Sequence, residues 1–200
     1  MSKRTATVFS AAAAGVIAAG TLFLTAAPGN AATTQVSYTA TGTTHLGGLE
    51  ADLPLGPGST DVAVDLQSGD LTADISLPPT RTEFTMFGFL PTYAEVTIHE
   101  PEEGLSGTFQ DGVVRVSGDF SIQITEVGHG FLGIPMENCR TTAPATIALE
   151  SEGEFLVAEG GTLTGTYELP AFEGCSFDTP IINALLAGQE HTITIDLAAA

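Results

Sequence analysis

The chain is 200 residues long and strongly acidic, with 24 aspartate and glutamate residues against 5 lysine and arginine residues and a formal net charge of −19. Its length and its 43% content of hydrophobic residues suit one domain with a sizeable core. A surface of this charge repels phosphate groups, which argues against nucleic acid or an anionic membrane as a partner.

The first 31 residues have the pattern of a secretory signal peptide. Lys3 and Arg4 form a basic start, residues 11–27 form an apolar run, and Gly29 and Ala31 supply small residues at the cleavage site. The pattern predicts a signal peptide over residues 1–31 and a single secreted β domain over residues 32–200. No cysteine directly follows the apolar run, and no second run reaches roughly 18 apolar residues, so we expect neither a lipid anchor nor a membrane span.

The first predicted hairpin lies between two alternating segments in the first half of the chain. Ser68-Gly69 is predicted to be its two-residue turn, because glycine tolerates the positive φ that such turns require. In this register Leu66 lies opposite Leu71 on the buried face. The acidic residues of the other face then lie diagonally to one another, as Asp61 does to Asp74, so direct like-charge pairing is avoided.

The strongest strand signal covers residues 113–125, where apolar and polar residues alternate almost without interruption. Asp111-Gly112 precedes it and predicts a type I′ turn that sets Phe109 opposite Val114. At about 3.3 Å per residue the strand spans roughly 43 Å, which is long. We therefore expect Gly118 to mark a bend where the strand passes from one sheet to another.

Shorter alternating runs predict further strands, and capping residues predict one helix. Thr179 is the expected N-cap, Pro180 the first position and Gly188 the residue beyond the end of a helix over residues 181–187. The additional strands are predicted at residues 35–42, 93–99, 146–149, 162–169 and 192–197.

These elements predict an all-β fold: an antiparallel β-sandwich or partly open barrel of about ten strands, with one short helix and one disulfide. Cys139 and Cys175 follow an export signal, so a disulfide is the expected state of the pair. Closing the loop between them would stabilise the fold by roughly 3–4 kcal/mol. Residues 69–72 recur in similar form at 161–164, each followed by a Leu-Pro pair, which suggests a duplicated β unit.

Several short phrases recur in a recognisable form: YTATG at 38–42, LGPG at 55–58, GFLP at 88–91, TAPATI at 142–147 and GTLTGTY at 161–167. These phrases resemble those of uncharacterised secreted β-rich proteins of high-G+C Gram-positive bacteria. The resemblance spans essentially all of residues 32–200. It implies export and a β fold, and it assigns no catalytic residue.

Motifs for catalysis and metal binding are incomplete. Pro101 follows His99-Glu100 and would interrupt a helix, and the second histidine of H-E-x-x-H is missing. His45, His129 and His191 lie far apart in the sequence without close partners, so we expect no zinc site. Calcium is a stronger candidate, although the acidic residues lack the spacing of an EF-hand. Those acidic residues are Asp61, Asp65, Asp70, Asp74, Glu100, Glu102 and Glu103.

The densest apolar segment, residues 84–90, either packs in the core or forms part of a cup for an apolar ligand. From this segment and the missing catalytic motifs we predict a non-catalytic secreted protein. It would bind an apolar small molecule, a lipid or a cell-envelope component and would need no cofactor. Two alternatives remain open: an acidic structural or calcium-dependent surface protein, and a secreted hydrolase. The predicted ligand-binding residues are Phe84, Met86, Phe87, Phe89, Phe131, Leu132 and Leu185.

Overall fold

The fold is all-β, with twelve strands in the part of the chain that the computed structural model describes, residues 33–200. The predicted signal peptide lies outside these residues. A 3₁₀ turn at Ser176–Asp178 leads directly into the helix α1, Thr179–Leu186. The strands are β1 (Thr33–Leu46), β2 (Ala51–Asp65), β3 (Asp70–Ser76), β4 (Thr80–Met86), β5 (Leu90–His99), β6 (Leu105–Gln110), β7 (Val113–His129), β8 (Leu132–Thr141), β9 (Ala145–Ser151), β10 (Gly160–Glu168), β11 (Phe172–Glu173) and β12 (Glu190–Ala199).

Eight of these strands close into an antiparallel barrel. Their order around it is β7-β6-β3-β2-β1-β12-β10-β9, and β9 pairs with β7 to complete the ring. Closure pairs each barrel strand on both sides, which removes the exposed edges that favour aggregation. The predicted all-β antiparallel architecture is confirmed.

A second sheet, here called the side sheet, grows out of the barrel through β7. Its order is β4-β5-β7-β8-β11. β7 pairs with β9 as far as Phe120, and from Ser121 onward it pairs with β5. The predicted passage of this long strand between two sheets is therefore confirmed, and the change of partner falls just beyond Gly118.

The turn before β7 has the predicted form. Asp111 and Gly112 have φ values of 53° and 76°, and Phe109 pairs with Val114. Both central residues lie in the left-handed region that a type I′ turn requires. The dipeptide alone thus specified the turn and the register of the hairpin.

The predicted two-residue turn at Ser68-Gly69 is wrong. Val64 pairs with Leu71, so the connection between β2 and β3 is four residues long. Asp65 explains the longer turn: its Oδ1 accepts the N–H of Gln67 at 2.8 Å, and its carbonyl accepts the N–H of Gly69 at 2.7 Å. A side-chain acceptor that takes the place of backbone pairing in this way favours a longer turn. Two residues that were predicted to lie in the strand therefore lie in the turn instead.

The corrected register moves two groups of side chains. Leu66 leaves the core and is exposed in the turn. Asp61 lies directly opposite Asp74 rather than diagonal to it. The register shifts by two residues, so the buried face of both strands is unchanged and Val62, Val64, Leu71, Ala73 and Ile75 all remain inside.

The side sheet is fastened to the barrel by hydrogen bonds from β4 to β2. The hydroxyl of Thr80 donates to the carbonyl of Pro54 at 2.6 Å, and the hydroxyl of Thr82 donates to that of Asp52 at 2.9 Å. One continuous cluster of buried apolar residues runs through the barrel and under the side sheet. The two sheets therefore share a core.

The predicted disulfide is confirmed between Cys139 in β8 and Cys175, which directly precedes the 3₁₀ turn. The helix is also confirmed, although Asp178 rather than Thr179 is its N-cap. Thr179 already has helical dihedral angles, because the 3₁₀ turn runs into the helix without a break. No helix within residues 33–200 is long and apolar enough to cross a membrane.

The two segments of the proposed duplication lie in strands with different partners. Residues 161–164 lie in β10, which pairs with β12 and β9. Residues 70–72 lie in β3, which pairs with β2 and β6. The duplicated β unit stays a prediction from sequence.

Candidate ligand-binding cavity

An apolar cavity of about 80 Å³ lies where the side sheet, the ends of several barrel strands and α1 meet. Leu53 and Leu55 of β2 line it from the barrel, and Phe84 and Met86 of β4 line it from the side sheet. The helix covers it with Ile181, Ile182, Leu185 and Leu186. Inward-facing alternate residues of two sheets thus supply the walls, and one face of a short helix supplies the cover.

Contacts on several sides hold α1 over the cavity. The amide of Asn183 pairs with the backbone of Phe172, accepting its N–H at 2.6 Å and donating to its carbonyl at 3.0 Å. The Nε2–H of His191 donates to the carbonyl of Leu186 at 3.1 Å. Gly48 packs so closely that a Cβ there would lie 1.7 Å from the carbonyl oxygen of Leu185. The disulfide adds a covalent link just before the helix.

Most polar side chains that line the cavity are satisfied within the protein. The hydroxyl of Thr44 donates to the carbonyl of Thr192 at 2.9 Å, so the phenol of Tyr167 donates to Thr44 at 2.7 Å. Burial raises the pKa of Tyr167, and the bond to Thr44 opposes that shift. The phenol therefore stays neutral. Thr82 is bonded to β2, as described above.

His129 and Asp178 are the exception among these polar residues. Nε2 of His129 lies 3.3 Å from Oδ2 of Asp178, whose residue is only 3% exposed. Nδ1 of His129 is buried and has no hydrogen-bond partner among residues 33–200. In the neutral imidazole whose Nε2–H donates to this carboxylate, Nδ1 carries a lone pair and acts as an acceptor. The cavity wall therefore contains one acceptor that a bound molecule could satisfy.

A second, smaller cavity of about 50 Å³ lies inside the barrel. Tyr38 and Phe155 line it with their rings edge to face, 5.8 Å apart. The phenol of Tyr38 donates to the carbonyl of Val157 at 2.6 Å, which holds the segment after Phe155 against the barrel. Ala73 lies in its wall, as Ala94 lies in the wall of the larger cavity.

The structure divides the seven predicted ligand-binding residues into two groups. Phe84, Met86 and Leu185 line the larger cavity. Phe87, Phe89, Phe131 and Leu132 are exposed at two turns of the side sheet. Leu53 and Leu55 were not predicted to line the site, although their alternation around Pro54 was a usable signal. The pairing of His129 with Asp178 was not predicted either, because residues 49 positions apart leave no local signal.

The histidines and acidic residues are more often paired than the sequence suggested. The prediction that His129 has no close partner is wrong, and so is the same prediction for His45, whose Nδ1 lies 2.8 Å from Asp52. Within residues 33–200, no group of three or more histidine, cysteine, aspartate or glutamate residues could hold a metal ion.

The fold and the site thus define a closed antiparallel β-barrel with an attached sheet and an apolar cavity covered by a helix. Comparison of the chain with protein-family models, with curated proteins and with solved structures gave no match.

Proposed function

We propose that this is a non-catalytic secreted protein that binds a small apolar molecule bearing one hydroxyl group. The observation that carries the proposal is the combination of an apolar cavity with a single unsatisfied acceptor in its wall, Nδ1 of His129. The basic-apolar pattern of residues 1–31 and the disulfide support export.

Apolar lining favours an apolar occupant over water. A buried water needs roughly 10–15 Å³ and two to four polar partners. A cavity of about 80 Å³ has the space for several waters, but its wall offers them few partners. Filling an apolar void recovers about 24 cal/mol per Å³, which corresponds here to about 2 kcal/mol in favour of the occupied state.

The charge of Asp178 selects against an anionic head group. A ligand hydroxyl can donate to Nδ1 of His129 without bringing charge into the cavity. A ligand carboxylate would place a second negative charge near the buried Asp178, where a low dielectric strengthens repulsion. We therefore expect alcohols to bind in preference to fatty acids of the same length.

Calorimetric titration with three-carbon probes, which a cavity of about 80 Å³ can hold, tests this preference. We expect 1-propanol to bind and propionate to bind at least about tenfold more weakly, a difference equivalent to about 1.4 kcal/mol. In the variant Asp178→Asn the difference should narrow, because the repelling charge is gone while the size of the side chain is kept. An unchanged preference in that variant would show that Asp178 does not select the head group.

Two matched alanine variants locate the binding site. Ala94→Leu fills the larger cavity and should abolish 1-propanol binding, whereas Ala73→Leu fills the smaller cavity and should leave 1-propanol binding intact. The reverse result would place the ligand inside the barrel. If the unmodified protein binds none of the probes, the proposal is wrong.

A further inference from the structure

Two turns of the side sheet bring four exposed apolar side chains to one end of the molecule. The turn from β4 to β5 carries Phe87 and Phe89, and the turn from β7 to β8 carries Phe131 and Leu132. Thr92 of β5 pairs with His129 of β7, so both turns lie at the same end of the sheet. The N–H of Gly130 donates to the carbonyl of Pro91 at 2.8 Å and joins them. We call these four residues the tip cluster.

The tip cluster has no role in the core. The exposure of its four members ranges from 65% for Leu132 to 111% for Phe131. A single exposed apolar residue needs no explanation, but a group of large ones on adjoining turns is a mark of an interaction site. Phe177 is also exposed, and it is next to Asp178, which contacts His129 at the base of the tip cluster.

The backbone conformation of the first turn is unfavourable for Phe87. Phe87 has a φ of 54° and Gly88 a φ of 75°. Asparagine, aspartate or glycine would occupy the position of Phe87 with less strain and with better solvation. Since Phe87 stabilises neither the turn nor the core, its apolar ring is better explained by a contact outside the folded chain.

The two hairpin ends also lack charge. Residues 84–94 and 127–136 contain no aspartate, glutamate, lysine or arginine, in a chain with 24 acidic residues. Glu83 and Glu126 are the nearest carboxylates on β4 and β7, and each lies at least three residues before the turn. At about 3.3 Å per residue, this places the carboxylates of β4 and β7 roughly 10 Å from the turns. Apolar tips can therefore enter a lipid layer without burying a carboxylate from these strands.

We propose that the tip cluster docks the protein on an uncharged lipid surface, with Phe87, Phe89, Phe131 and Leu132 inserted between the lipid head groups. The net charge of −19 opposes approach to an anionic surface, so the surface that fits is zwitterionic or neutral. Met86 and His129 end the strands that carry the two turns, and both line the cavity. Docking would thus place the cavity beside the lipid. The inference goes beyond cavity binding and stands without it.

A tryptophan probe tests the insertion directly, because the chain contains no natural tryptophan. Phe131→Trp places one fluorophore at the tip, and Leu66→Trp places one in an exposed turn of the barrel as a matched control. With phosphatidylcholine vesicles we expect the emission of Phe131→Trp to shift to the blue and that of Leu66→Trp to stay unchanged. No shift for Phe131→Trp, or equal shifts for the two variants, would overturn the proposal. So would a concentration-dependent shift without lipid, which would assign the tips to a contact between copies.

Vesicle flotation adds a second, independent measurement. The triple variant Phe87→Ser, Phe89→Ser, Phe131→Ser should lose at least about tenfold in partitioning, since each ring contributes through apolar burial.

Adding phosphatidylglycerol at low salt should weaken binding of the unmodified protein; stronger binding would contradict the proposed charge selection. The triple variant should still bind 1-propanol and Ala94→Leu should still bind vesicles, so failure of one proposal is distinguishable from failure of the other. Undiminished flotation of the triple variant would overturn the docking proposal.

Discussion

His191 shows how one buried side chain couples the helix over the cavity to the rest of the barrel. Its residue is fully buried, its Nε2–H donates to the carbonyl of Leu186, and its Nδ1 accepts the N–H of Gly47 at 3.2 Å. The bond from Gly47 requires the neutral imidazole, because Nδ1 must keep its lone pair to accept it. Burial lowers the pKa of His191, the bond to Leu186 opposes this in part, and His45 adds a smaller lowering effect.

This shift in pKa makes stability depend on pH. The unfolded histidine titrates near pH 6.5, above the folded pKa, so below about pH 7 the unfolded chain binds more protons than the folded one. The contribution of His191 is complete above that range and is lost as the pH falls. We expect the free energy of unfolding of His191→Gln at pH 7 to be about 1–3 kcal/mol lower than that of the unmodified protein. Between pH 7 and pH 5 the variant should lose less stability than the unmodified protein does, because residue 191 no longer titrates. Urea denaturation at both pH values measures this, with the exposed His99→Gln as control. Equal pH dependence in both variants would contradict it.

Asn183 is the second residue whose polar side chain holds the helix. Its amide oxygen accepts the N–H of Phe172 and its amide nitrogen donates to the carbonyl of Phe172. A residue of a neighbouring β-strand makes the same pair of hydrogen bonds. Asn183→Asp keeps the shape but sets a carboxylate oxygen against the carbonyl of Phe172. We expect the free energy of unfolding to fall by about 1–3 kcal/mol, because one partly buried hydrogen bond is lost and two acceptors face each other. Thermal denaturation against the exposed Asn138→Asp checks this, and equal losses in both would contradict it.

At the scale of elements, the disulfide acts on the segment that carries α1. It joins β8 to the residue before the 3₁₀ turn and closes a loop of 36 residues. Replacing both cysteines, Cys139→Ala with Cys175→Ala, should lower the free energy of unfolding by roughly 3–4 kcal/mol. Hydrogen exchange should rise more in α1 than in β1, because the barrel strand keeps its partners on both sides. A uniform rise across both elements would contradict this local role.

Elements with unbroken alternation could be predicted from sequence, and interrupted ones could not. Residues 113–125 alternate throughout, and β7 covers them. The first half of β2 contains Pro54 and Pro57, which are unfavourable in strands, and it was missed. The turn at Asp65 was misjudged because a side-chain oxygen, rather than the Ser68-Gly69 dipeptide, determines its length.

The cavity was predictable only in part, for a physical reason. The apolar side chains of residues 84–90 indicated a binding role, but only the fold decides that Phe84 and Met86 face inward while Phe87 and Phe89 lie outside. The contact of His129 with Asp178 depends on the path of the chain between β7 and α1. Local sequence patterns carry no information on contacts of that range.

At the scale of the whole molecule, β7 ties two sheets into one structure. Its first half belongs to the barrel and its second half to the side sheet. Phe120 lies where β7 changes its partner from β9 to β5. Its side chain is buried and belongs to the apolar cluster that runs through the barrel and under the side sheet. Neither sheet can lose its packing at this point without exposing apolar surface in the other. We therefore expect the barrel and the side sheet to unfold together.

Phe120→Ala tests this coupling. Removing the ring should lower the free energy of unfolding by about 3–5 kcal/mol. The loss should appear equally in both parts, because the side chain supports the strand that they share. Hydrogen exchange followed by mass spectrometry in urea reports separately on peptides from β3 in the barrel and from β5 in the side sheet. Coincident transitions, shifted together by Phe120→Ala, would establish one cooperative unit. If β5 becomes exposed at lower urea than β3, the side sheet is a separate unit of stability, and docking through its turns could then open the cavity without unfolding the barrel.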